Sequence, residues 1–256
     1  MQVRVYSSPG AAARAVARLV ADMLQSCPRP VLALPTGQTA VPFYAALVEL
    51  HRAGHADFHR TTTFNLDEFV GLARRDPRSY RGFMTRHLFA HVNLPPMRGH
   101  LFNGLAVDLA REARRFEQRI ALAGGLDLAV LGLGGNGHLA LNEPAHVLQA
   151  GSHVARLRLD TRRANAREFG GRWQDVPTHA LTMGMATMLN ARAVVLLALG
   201  AHKASVLARA LTGPITTRCP ASLLQLHPDV SVVCDRAAAG KLPASFTRPR
   251  RAPSAS

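Results

Sequence analysis

Short apolar runs alternate along this chain with longer stretches whose apolar positions recur every three or four residues. Val3 to Tyr6 reads as a first strand. Ser8-Pro9 then marks a helix start, with Val16, Leu19, Val20, Met23 and Leu24 following on one face. Val31 to Leu34 predicts a buried strand, a loop runs from Pro35 to Thr39, and a helix spans about Val41 to Arg52. Thr61 to Leu66 predicts the next strand, ending at Asp67-Glu68. Helices are expected over Ser79 to His91 and Asp108 to Ala123, with a central strand from Leu126 to Leu131. Beyond it the pattern predicts a strand over Val154 to Leu159, helices over Ala164 to Phe169 and Leu181 to Leu189, and a strand over Val194 to Leu199. A helix over His202 to Leu211 and a last strand over Val230 to Cys234 complete the series. Strands that alternate with helices predict an α/β fold, a mostly parallel sheet with helices on both faces. Residues 1–243 are expected to form a single domain, and Ala244 to Ser256, rich in Ser, Pro and Arg, a disordered tail.

Composition narrows the class. An apolar fraction of 48% suits a chain that buries a real core. The run from Ala193 to Leu199 is too short to span a bilayer, and charged residues interrupt the apolar stretch near the N-terminus, so neither a membrane anchor nor a signal peptide is expected. Cys27, Cys219 and Cys234 are far apart and show no metal or redox spacing, which fits reduced thiols in a cytoplasmic protein. The formal charge is +15, and Lys203 and Lys241 are the only lysines among the basic residues. The arginines are scattered and aromatics are few, so the charge predicts a positive surface that helps to collect an anionic substrate, with nucleic-acid binding disfavoured.

Three predicted strand ends carry polar groups. The first is Thr36-Gly37-Gln38-Thr39, either an anion cradle of backbone N–H groups before a helix or an ordinary strand-to-helix turn. The second is Asp67-Glu68, a general base with a structural partner or a helix cap. The third runs from Gly132 through Gly134, Gly135, Asn136, Gly137 and His138 to Asn142-Glu143-Pro144. There a histidine arrives just past a strand end with a carboxylate five positions on. In open α/β sheets ligands bind at that edge. The pairs His51/His55 and His87/His91 share helical faces but lack a carboxylate at a metalloprotease-like position, so surface histidines are expected and no metal.

In order along the chain, these segments resemble the glucosamine-6-phosphate deaminase (isomerase) family. The resemblance covers roughly Val31 to Asp235. It rests on Leu34-Pro35-Thr36-Gly37, on Phe64-Asn65-Leu66-Asp67-Glu68-Phe69-Val70-Gly71-Leu72, and on Gly132 to Pro144. Asp160-Thr161-Arg162, Ala180-Leu181-Thr182-Met183-Gly184, Gly200-Ala201-His202-Lys203-Ala204 and Leu224-Gln225-Leu226-His227-Pro228 complete it. Asn142-Glu143-Pro144 separates the chain from the related lactonase branch. The resemblance implies a modified Rossmann-like fold and a cofactor-free conversion of glucosamine 6-phosphate to fructose 6-phosphate and ammonium. It implies Asp67 as the base at C2, His138 as the proton shuttle in ring opening, and Glu143 as the group that holds its tautomer. Thr36, Gly37, Gln38, Thr39, Arg167 and Lys203 are implied at the phosphate. It is compatible with a monomer and with a homo-oligomer.

Two departures stand out. Asn136 occupies a position where many members have Asp, and an orienting role toward His138 is expected for it. Gln38 replaces a small residue in the phosphate loop. The run Ala145 to Ala155 lacks the serines and basic residues with which allosteric members bind an N-acetylated activator, so no such activation is expected. The alternatives are an enzyme for galactosamine 6-phosphate or another sugar phosphate, a lactonase, and a non-catalytic sugar-phosphate sensor.

Overall fold

The short apolar runs form a parallel sheet, and the amphipathic stretches between them form the helices that cover it. The computed structural model describes residues 1–247. The chain begins with β1 (Gln2–Tyr6), α1 (Pro9–Ser26), β2 (Val31–Leu34), α2 (Val41–Arg52), β3 (Thr62–Asn65) and β4 (Asp67–Phe69). It continues through α3 (Tyr80–Met84), a π-helical turn (Thr85–Phe89), β5 (Gly99–His100), α4 (Leu109–Leu122) and β6 (Leu128–Gly132). Then come β7 (His153–Arg156), α5 (Leu159–Asn165), β8 (His179–Thr182), α6 (Met185–Leu189), β9 (Ala193–Ala198), α7 (Ala204–Thr212), β10 (Val230–Asp235) and α8 (Ala244–Thr247).

Seven strands form one sheet in the order β1-β10-β9-β6-β2-β3-β5, and each of these neighbours pairs in parallel. Side chains of a strand alternate between the two faces, and both faces are buried here. Ala33, Phe64, Leu131 and Leu196 pack on one side with Phe116 and Ile120 of α4 and Val206 and Leu207 of α7. Leu32, Leu34, Val130 and Leu197 pack on the other with Val16 and Val20 of α1 and Phe43 and Leu47 of α2. Local chemistry agrees with this plan. The Ser8 hydroxyl accepts from the Ala11 N–H and caps α1, Pro9 opens the helix, and Asp108 caps α4 through the Arg111 N–H.

A second, three-stranded sheet in the order β4-β8-β7 is antiparallel. It corrects the expectation of a helix over Leu181 to Leu189. Residues His179–Thr182 are a strand, and only Met185–Leu189 is helical. An apolar run as short as Ala180 to Met183 has no period that separates helix from strand, and its partners β4 and β7 are remote in sequence. The expected strand over Val154 to Leu159 likewise stops at Arg156, and Leu159 opens α5. Of the expected tail, Ala244–Thr247 form α8 and Phe246 packs on the core; 248–256 lie outside the described residues.

Gly184 ends β8 against the 150–151 backbone. A Cβ there would sit 2.2 Å from the carbonyl oxygens of both Ala150 and Gly151. Gly184→Ala is therefore expected to destabilise the protein by about 1–3 kcal/mol or more, read as a lowered denaturant midpoint with an unchanged slope.

Candidate active site

Parallel pairing fixes where the polar loops emerge. Because β9, β6, β2 and β3 are consecutive and parallel, the segments that follow them leave from one rim of the sheet. Those segments carry Lys203, the Gly134–Pro144 loop, Thr36–Thr39 and Asp67, in that order across the rim. The chain direction across the sheet reverses between β6 and β2, the topological switch point at which such folds bind ligands.

Asp67 opens β4 and is buried. The Thr36 hydroxyl donates to its Oδ1 at 3.4 Å, which ties the loop after β2 to the strand end after β3. Burial, and then the neighbouring charge of Glu68, pushes the Asp67 carboxyl up to about 7, although the Thr36 hydroxyl works against them. Glu68 points elsewhere, as adjacent strand residues must. Its carboxylate accepts from the backbone N–H groups of Phe69 (2.9 Å), Tyr80 (2.9 Å) and Arg81 (3.0 Å), so it caps the first turn of α3. The base-or-cap alternative that the local sequence leaves open at Asp67-Glu68 thus divides into a cap, Glu68, and a carboxylate at the rim, Asp67. Tyr44 helps to shape the floor: its hydroxyl donates to the Pro35 carbonyl at 2.5 Å.

The glycine loop holds His138 by close packing. A Cβ on Gly134 would lie 2.3 Å from the imidazole, so the ring requires glycine there. Gly137 has φ 98°, the left-handed region that glycine tolerates. Ala140, at φ 50°, takes the same region with a side chain, a strained conformation of the sort that collects at functional loops. Leu141 N–H donates to the Thr182 hydroxyl, and Asn142 Nδ2 donates to the Met183 carbonyl. Thr182 is the register partner of Asp67, so β8 bridges the glycine loop and the Asp67 strand.

Glu143 and Asn136 frame the imidazole. His138 Nδ1 lies 3.5 Å from Glu143 Oε2, within ion-pair reach. Asn136 Nδ2 donates to Glu143 Oε2 at 2.8 Å and to Asp160 Oδ2 at 3.1 Å, while its Oδ1 accepts from the His138 N–H at 3.1 Å. Burial raises the Glu143 carboxyl, but hydrogen bonding and charge from His138, with Thr161 and Asn136, outweigh it and hold the group at about 2. Glu143 is therefore ionised at neutral pH.

Between the glycine loop and Asp67 on the rim, Gly37 has φ 92° and starts the 3-10 turn Gln38–Ala40 that leads into α2. Gln38 Nε2 donates to Glu168 Oε1 at 2.6 Å, which brings this loop against the turn Ala166–Phe169 that carries an exposed Arg167. Lys203 is half-buried just past β9, and burial pulls its ammonium below the ordinary value. Of the histidine pairs, His51 Nδ1 sits 2.7 Å from the Ala56 carbonyl and His91 Nε2 sits 2.9 Å from that of Arg86.

Two groups escaped the reading of the sequence. Asp160 shares the Asn136 amide with Glu143, and Arg209 on α7 donates to the Asn136 carbonyl at 2.7 Å. Asp160 lies in a recognisable motif, but nothing in the local sequence marks Arg209, whose contact spans 73 positions.

Residues 8–233 match the family model described as glucosamine-6-phosphate isomerases/6-phosphogluconolactonase. A glucosamine-6-phosphate deaminase of Hahella chejuensis is 43% identical over 94% of this chain and 92% of its own length. One from Halothermothrix orenii is 40% identical over 94% of this chain and its entire length. The solved structure of a monomeric glucosamine-6-phosphate deaminase superimposes with a TM-score of 0.91 at 39% identity, covering 94% of this chain and all of the other. A 6-phosphogluconolactonase from Trypanosoma cruzi superimposes at 0.75 with 20% identity over 95% of this chain and 97% of its own, a likeness of fold alone. With its glycine loop and acid-bearing strand end on one rim of a parallel sheet, the chain belongs to the glucosamine-6-phosphate isomerase/6-phosphogluconolactonase family.

Proposed function

We propose that this protein converts glucosamine 6-phosphate to fructose 6-phosphate and ammonium. The observation that carries the reading is the buried Asp67, tied to the Thr36 loop and bridged through β8 to the loop that holds His138 and Glu143. Relatives that bear the name glucosamine-6-phosphate deaminase at 40–43% identity support the substrate.

The chemistry follows from the groups present. The pyranose must open first, and His138 moves the anomeric hydroxyl proton to the ring oxygen. Ionised Glu143 favours the transient imidazolium, and Asn136 fixes the loop through its contact with the His138 N–H. In the open chain, the C1 carbonyl and the C2 ammonium acidify the C2 proton. Asp67 removes it, the C2 ammonium gives up a proton as the carbonyl oxygen gains one to leave an enolamine, and Asp67 returns its proton to the adjacent C1. This moves the double bond to nitrogen as a C2 ketimine. Water adds to C2, and the carbinolamine expels ammonia to leave the ketone. A carboxyl pushed up to about 7 is well matched to give and take a proton near neutrality. Thr36 to Thr39, Arg167 and Lys203 are assigned to the phosphate, the guanidinium by a planar two-point grip and the ammonium as a compact charge.

The direct test is ammonium release from glucosamine 6-phosphate beside unphosphorylated glucosamine and galactosamine 6-phosphate. Release from the first substrate far above the others is expected; release from galactosamine 6-phosphate alone would replace the substrate and keep the chemistry. Asp67→Asn is expected to lower kcat by about a hundredfold or more with substrate binding nearly intact, and an unaltered kcat would remove Asp67 from its role.

Arg167→Ala is expected to raise KM for the phosphorylated sugar with a smaller effect on kcat. An unchanged KM would move the phosphate elsewhere.

The raised pKa of Asp67 also sets a pH dependence. The base works deprotonated, so kcat/KM should fall about tenfold per unit below a midpoint near 7. The protonated form favours the folded state, so the stability this group contributes is present at low pH and lost as pH rises from about 4 through about 7. Asp67→Asn should therefore stabilise the protein at pH 8 relative to pH 4, measured by chemical denaturation.

A further inference from the structure

A cavity of about 460 Å³ lies between α4, β5 and the segment before α3, and none of the candidate active-site residues lines it. Its lining includes Arg74, Arg81, Arg115 and Arg119, with His100 beside them. One carboxylate, Glu112, lines it too, but that group is committed: it accepts from the Asn103 N–H at 2.9 Å and from the Arg115 guanidinium at 2.5 Å. Among the described residues, Arg74, Arg81 and Arg119 form no salt bridge. A second depression shares Arg74 and Arg81 and adds Arg75 and Arg86 at its edge, so the positive field extends beyond the mouth.

Cations that outnumber the anions in a concavity repel one another and lose hydration. The cost is visible in two groups. Burial and then the charge of Arg74 push the Arg81 guanidinium below its ordinary value, against the opposing pull of Glu68. Burial, then Arg119 and Arg81, push the His100 imidazole down. His100 cannot swing away easily, since its ring is stacked on Phe64 at a centroid distance of 4.7 Å. The volume falls in the range of small-molecule sites, and planar guanidiniums suit phosphate oxygens in pairs.

We infer that this arginine-lined cavity is a second binding site, separate from the candidate active site, for a small phosphorylated polyanion. The guanidiniums of Arg74, Arg81 and Arg119 are its binding groups, and Pro96, Met97 and Leu101 form an apolar wall beside them. The site touches the catalytic frame at Arg81. Arg81 lines the cavity with its side chain, while its backbone N–H holds Glu68, the neighbour of Asp67. Occupancy thus bears on the turn that caps Glu68. The site itself stands whether or not the chain is a deaminase.

The test is calorimetric titration of the full chain with inorganic pyrophosphate. Because the proposed phosphate site of the sugar can also take this anion, the titration is repeated in an Arg167→Ala/Lys203→Ala variant. Pyrophosphate binding that survives in that variant is expected. It should weaken by about tenfold or more when Arg81→Gln and Arg119→Gln are added, as loss of charge-assisted hydrogen bonds predicts. Arg74→Glu, at an exposed position, provides the same comparison without touching a half-buried residue. A site-specific readout is the His100 titration followed by NMR. A bound anion offsets Arg119 and Arg81, so the His100 pKa should rise on addition of pyrophosphate. Binding lost entirely with Arg167 and Lys203, or an unmoved His100 together with unchanged affinity in Arg74→Glu, would overturn the inference.

Discussion

The constraint on which the molecule depends is the parallel pairing of four central strands. Parallel neighbours require crossover connections, and crossovers here are helices that bury both sheet faces. Once β9, β6, β2 and β3 lie side by side in one direction, their following loops share a rim. Residues separated by more than a hundred positions, such as Thr36 and Lys203, are then delivered to one edge by backbone hydrogen bonding alone. No side-chain contact between those two loops is needed for the rim to exist. The side chains decide only what the rim can do.

Burial then differentiates the acids on that rim. Asp67 and Glu68 are neighbours on a three-residue strand and face opposite ways. Glu68 receives three backbone N–H groups and serves the fold. Asp67 receives one long contact from a hydroxyl, and its carboxyl rises to about 7. Glu143, also largely buried, goes the other way because an imidazole and an amide face it. Asp67 and Glu143 thus hold protons at very different pH values through the number and kind of donors that reach them, while burial lifts Glu68 above its ordinary value even with three N–H groups on it.

The architecture was legible because it rests on periodicity and turn chemistry. The apolar runs at Val31 to Leu34 and Val194 to Leu199, the cap at Ser8 and the helix at Asp108 to Ala123 all carry local signals that tertiary packing reinforces. The small antiparallel sheet was not legible. Its strands β4, β7 and β8 are three or four residues long, and β4 finds β8 across roughly a hundred positions, so the Leu181 segment carries no local signal that separates strand from helix. The same limit applied to the site. Asp67, His138 and Glu143 could be singled out from residue type and position at strand ends. The division of labour between Asp67 and Glu68 depended on β4, and the contact of Arg209 with the Asn136 carbonyl depended on where α7 lands.

Asn136 is the one neutral side chain set between two acids, with a backbone N–H on its third side. An amide is chemically two-ended, and each end here meets its complement: both hydrogens of the nitrogen are spent on carboxylates, and the oxygen takes an N–H. The side chain is thereby keyed in one sense of rotation and acts as a neutral spacer that keeps Glu143 and Asp160 from confronting each other. Negative charge can then be concentrated on Glu143, beside the imidazole, without a third anion to dilute its directionality.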